Sequence, residues 1–116
     1  SPTSRSAFGA DLLVTNESCS RAFSVQVKAN GRPAGFWLLG EKAKGLGSPS
    51  HVYVFVNFSD AASGHEFYIV PSRVVRRHIL TELAKTGSVW HSFSRNDAHK
   101  YKDAWKLFGR IAKKAT

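Results

Sequence analysis

Three side chains of this chain could act together on a phosphate: the carboxylate of Asp11, the amide of Gln26 and the ammonium of Lys28. Asp11 opens the run Asp11-Leu12-Leu13-Val14, and fifteen residues after it comes Gln26, within Val25-Gln26-Val27-Lys28. Successive side chains of an extended chain alternate faces, so Gln26 and Lys28 share one face while Val25 and Val27 take the other. A carboxylate and an amide oxygen are ligands for a hard divalent cation. An ammonium beside them orients an attacking water or steadies charge on the phosphate. The set suits metal-assisted phosphodiester hydrolysis, provided that two strands bring Asp11 beside Gln26.

Residues 9–15 and 21–29 read as those two strands, separated by the polar Asn16-Glu17-Ser18. Asn30-Gly31-Arg32-Pro33 ends the second strand. Phe36–Leu39 is a short apolar run that fits a strand or a loop, and residues 40–50, with three Gly and one Pro, read as a flexible basic loop. His51 to Phe58 is apolar on both faces, the pattern of a central strand. Glu66 to Val70 is a further strand, antiparallel to it. Ser72 then predicts a helix cap, with a helix to about Lys85 ended by Gly87 and a buried stripe of Val75, Ile79 and Leu83. A second helix is expected from about Asp97 to Lys113, with Tyr101, Ala104, Trp105 and Phe108 on its apolar arc. Strands first and helices after predict an α+β fold, helices packed on a mixed sheet. At 116 residues the chain is expected to form a single domain, 1–116, with Trp37, Trp90 and Trp105 in its core.

The net charge is +9, and it is lopsided: residues 71–116 carry eleven Lys or Arg against three Asp or Glu, whereas residues 1–70 carry six against five. Such a field attracts polyanions, nucleic acid before an acidic membrane surface. The candidate phosphate contacts are Arg5, Lys42, Lys44 and the cluster Arg73, Arg76 and Arg77. Trp37, beside the basic loop, is the candidate for stacking on a base. The lone Cys19 excludes a disulfide framework and favours a reducing, cytoplasmic setting. No apolar run approaches the length of a membrane span, so no membrane insertion is expected. The five histidines show no zinc-ligand spacing with one another or with Cys19.

With Asp11 on one strand and Gln26-Val27-Lys28 on the next, the chain resembles the PD-(D/E)XK nuclease superfamily, the restriction-endonuclease-like fold, in a Gln-x-Lys variant. The resemblance covers about residues 5–72. It implies that Asp11, Gln26 and the backbone carbonyl of Val27 hold Mg²⁺ or Mn²⁺, and that Lys28 orients or deprotonates the attacking water. The neutral Gln26 removes one negative charge from the usual acidic pair, so weak metal binding is expected. The resemblance also implies a helix ahead of the Asp strand, often bearing a Glu. Only ten residues precede Asp11 here and none is acidic, so either an N-terminally truncated chain or an incomplete site is expected. A homodimer is implied in the same way. The leading expectation is hydrolysis of DNA, with RNA as the second substrate. The alternative is a non-catalytic nucleic-acid-binding module on a degenerate nuclease fold.

Overall fold

The computed structural model describes residues 7–15, 22–45, 47–62 and 64–108. Two sheets are layered. The larger contains β1 (Ala7–Thr15), β2 (Ala22–Asn30), β4 (His51–Asn57) and β5 (Glu66–Pro71), in the order β1-β2-β4-β5. The smaller contains β3 (Phe36–Leu39), β6 (Leu80–Leu83) and β7 (Val89–Ser94), in the order β3-β7-β6. Within the larger sheet β2 and β4 are parallel, and the other neighbours are antiparallel. A parallel pair needs a crossover. Here it runs through β3 in the second sheet and a 3-10 turn at Glu41–Lys44, inside the segment expected to be a flexible loop. The architecture is α+β on a mixed sheet, as the order of elements predicts.

The strand alternation sorts the larger sheet into two faces. Phe23, Val25, Val52, Val54 and Ile69 form one buried layer, with Ala104, Leu107 and Phe108 packed against it. Tyr53, Phe55, Tyr68 and Val70 form the other. That layer meets Trp37, Leu39 and Phe93 of the smaller sheet, Val75 of α1 (Ser72–His78) and Ala98 of α2 (Arg95–Ala98). β4 is buried on both faces and is central, as its sequence predicts. Buried polar groups pin the crossover. Asn30 donates to the Phe36 carbonyl and to Asn57 Oδ1 (2.8 and 2.9 Å), and Trp37 Nε1 donates to the Val56 carbonyl at 2.9 Å.

The helices depart most from expectation. α1 stops at His78, and residues 80–94 form the β6–β7 hairpin rather than a continuation to Lys85. Ser72 lies inside the helix, its hydroxyl donating to the Ser48 carbonyl instead of capping, and Pro71 holds the cap position. Val75 is buried as predicted, but Leu83 is 74% exposed. Gly87, with φ of +91°, turns the hairpin instead of ending a helix. The second helix is also broken: α2 and a 3-10 turn at His99–Tyr101 give way to extended Lys102 and left-handed Asp103. Lys102 bridges to Tyr68, and the Asp103 amide donates to the Phe67 carbonyl at 2.8 Å, so bonding to β5 replaces helical bonding there. Trp90 and Trp105 are each nearly half exposed, and Trp37 alone of the three tryptophans is core. The end of the expected second helix, from 109, lies outside the described residues.

Candidate functional site

Register brings the candidate acid and amide together. In the antiparallel β1–β2 pair Asp11 stands directly across from Gln26. Directly opposed residues on one face have Cβ atoms about 4.5–5.5 Å apart, close enough for their oxygens to converge on one cation. Lys28 follows two residues along the same face, opposite Gly9, which has no side chain to crowd it. Asp11 is exposed, and Gln26 and Lys28 are half-buried. The three sit on the β1 side of the sheet, on the face that, further across, packs against the smaller sheet. Val27 projects to the opposite face. Its carbonyl lies in the sheet plane on a strand paired on both sides, so it would have only its second lone pair to offer an ion above the face.

The donor set is all oxygen, which fits a hard cation such as Mg²⁺ or Mn²⁺. It supplies one carboxylate, so water and substrate oxygens would fill most of the coordination shell. Among the described residues no three His, Cys, Asp or Glu side chains cluster in a way that could hold a metal.

Two further side chains share this face and were not singled out from the sequence as site residues. Tyr53 is the parallel partner of Gln26, and His51 lies two residues before it on β4. Their rings meet edge to face at 5.1 Å. His51 Nδ1 and the Tyr53 hydroxyl are buried and find no hydrogen-bond partner among the described residues. Burial lowers the His51 pKa, and the negative charge of Asp11 opposes that effect, which ties the two groups electrostatically. Burial also pushes the Tyr53 hydroxyl up to about 12. Both residues lie in a run that reads simply as a strand; only the β2–β4 register reveals that they neighbour Gln26.

The candidate nucleic-acid residues are scattered. Arg5 lies outside the described residues. Trp37 is 1% exposed, ringed by Phe55 and Tyr68 with its indole N–H already bonded, so it is core and cannot stack on a base. Lys42 and Lys44 are exposed on the 3-10 turn, where Lys44 lies 3.7 Å from Glu41. Glu41 in turn bonds His91 of β7 at 2.7 Å. Arg73, Arg76 and Arg77 are all exposed on α1. The Arg76 guanidinium lies over Gly47, where an added Cβ would come within 2.6 Å of it, so any side chain there would displace the arginine. No helix among the described residues is long and apolar enough to cross a membrane. No protein-family model, curated protein or solved structure matches the chain.

Proposed function

We propose that this chain is a metal-dependent nuclease domain of the PD-(D/E)XK type that hydrolyses DNA phosphodiester bonds. The observation that carries the proposal is the pairing of Asp11 with Gln26 across two strands, with Lys28 next along the same face. Asp11 and Gln26, with the Val27 carbonyl, would hold Mg²⁺ or Mn²⁺. When bound, such an ion polarises a phosphoryl oxygen and acidifies a coordinated water. The Lys28 ammonium holds the attacking water in line and offsets the charge that builds on the non-bridging oxygens. The exposed arginines of α1 supply sequence-independent attraction for the duplex. A homodimer is part of the same proposal.

The test is nicking of supercoiled plasmid with Mg²⁺ or Mn²⁺, with and without EDTA. Nicking is expected to need the metal and to fall by about 100-fold or more in Asp11→Asn and in Lys28→Ala, the usual scale for removing a group that acts on the reacting centre. Nicking that survives both changes overturns the assignment. The single carboxylate of the site and the exposed α1 arginines favour a second reading, a non-catalytic binding module. Salt-sensitive DNA binding with no nicking under either metal selects it.

A further inference from the structure

Away from the Asp11 face, α1, α2 and the turn at His99–Tyr101 enclose a depression of about 260 Å³. We propose that it is a subsite that seats a single nucleotide of a nucleic-acid strand, base and phosphate together. The proposal rests on nucleic acid as the partner but not on cleavage.

The walls are fixed by the core. Val75 and Ala98, which lie beside the lining residues, are fully buried in one cluster with Phe93, and Val74 and Tyr101 pack against it. The floor of the depression is therefore built by folding, and exposed side chains of Arg77, His78, Asn96, His99 and Lys100 form its rim. Four donor side chains line it: Arg77 and His78 from α1, His99 and Lys100 from the turn. None of them makes an ion pair or a side-chain hydrogen bond among the described residues. Arg77 and Lys100 place two like charges at one cleft, and an anion seated between them relieves their repulsion. A phosphate suits them because arginine and lysine together offer both a planar fork and a point charge to its oxygens.

The rest of the lining is not that of a plain anion site. Asp97, the one acid there, pairs with none of the cations, and Asn96 lies next to it. A carboxylate and an amide read the N–H and carbonyl edge of a base. The half-buried ring of Tyr101 offers a stacking surface, with Lys100 Nζ 5.7 Å from its centroid. A nucleoside monophosphate is itself drug-sized, so a depression of about 260 Å³, a little under the roughly 300 Å³ at which enclosing pockets begin, seats one nucleotide partly open to solvent.

The probes are deoxyadenosine monophosphate (dAMP), deoxyadenosine, inorganic phosphate and a short single-stranded oligo(dA), followed by amide chemical shifts in NMR titrations. dAMP is expected to move the amides of residues 72–78 and 95–101, and to bind at least about tenfold tighter than either deoxyadenosine or phosphate, each of which lacks half the contacts. The oligo(dA) competes with it. Arg77→Ala with Lys100→Ala, both at exposed positions, weakens dAMP at least tenfold, while Asp11→Asn leaves dAMP binding intact whatever it does to nicking. Phosphate binding as tightly as dAMP, shifts centred elsewhere, or oligo(dA) that fails to compete each overturns the subsite.

Discussion

At the scale of single residues, the clearest electrostatic device lies on β5, outside the candidate active site. Arg95 donates from Nη2 and Nε to both carboxylate oxygens of Glu66, at 2.8 and 3.1 Å, and the Tyr68 hydroxyl donates to Glu66 Oε1 at 3.0 Å. The guanidinium holds the Glu66 carboxyl down at about 2, against an ordinary 4.5. Because the folded-state value is the lower one, the pair's stabilisation is complete above pH 4.5 and is lost as the pH falls from there towards 2. Arg95 is almost half exposed, so solvent screens the pair, and Glu66→Gln should cost about 1 kcal/mol at neutral pH rather than the full worth of a charged hydrogen bond. Urea midpoints at pH 7 and pH 3 measure this. The gap between wild type and variant should narrow at the lower pH, and a gap that stays constant would show that the pair contributes no pH-dependent stability. Nothing in the sequence joins Glu66 to Arg95, twenty-nine positions apart. Asp11 and Gln26 were legible because both lie on strands joined in sequence and alternation fixes the face of each. His51 and Tyr53 were not, because their place beside Gln26 depends on a parallel register set by the crossover through β3.

At the scale of elements, the strands of the larger sheet were legible and the helices were not. β4 follows from alternating valines and aromatics and β5 from the short apolar run Phe67–Val70, bounded by turn residues. Residues 72–85 read as one helix, and the structure divides them between α1 and β6. Val75, Ile79 and Leu83 recur at helical spacing, yet Ile79 leaves α1 in extended geometry, and Leu80–Leu83 pairs with Val89–Ser94. The competing signal was the alternation of Val89, His91 and Phe93 with Trp90, Ser92 and Ser94, which supplies a ladder partner that an isolated helix lacks. Two substitutions separate the arrangements. Val75→Ala empties a fully buried site and should cost about 2 kcal/mol. Leu83→Ala acts on an exposed edge strand and should change stability by no more than about 0.5 kcal/mol. Comparable losses at both positions, measured by thermal or urea unfolding, would instead fit a single helix with a common buried stripe.

At the scale of the whole molecule, charge and chemistry are separated along the chain. The candidate reacting groups lie on β1 and β2, while eight of the nine net positive charges fall after residue 70. Much of that charge sits on exposed positions of α1 and in the segment from Arg95 to Lys106. A ligand attracted mainly by the second half would then be presented to groups on the first. If the attraction is to nucleic-acid phosphates, each contact releases about 0.9 of a counterion from a B-form duplex, and the logarithm of affinity falls linearly with the logarithm of salt. Replacing Arg73 and Arg77 by alanine should weaken duplex binding across sequences alike and make that slope shallower by about 2. Lys28→Ala, one charge on the half-buried face of β2, should change the slope by no more than about 1. The measurement is fluorescence anisotropy of a labelled duplex at a series of salt concentrations, with sedimentation of anionic vesicles run beside it. A slope unchanged by the α1 pair would remove that helix from the binding surface. Vesicle binding stronger than duplex binding would reassign the basic half of the chain to a lipid headgroup surface, leaving Asp11, Gln26 and Lys28 without a substrate delivered by charge.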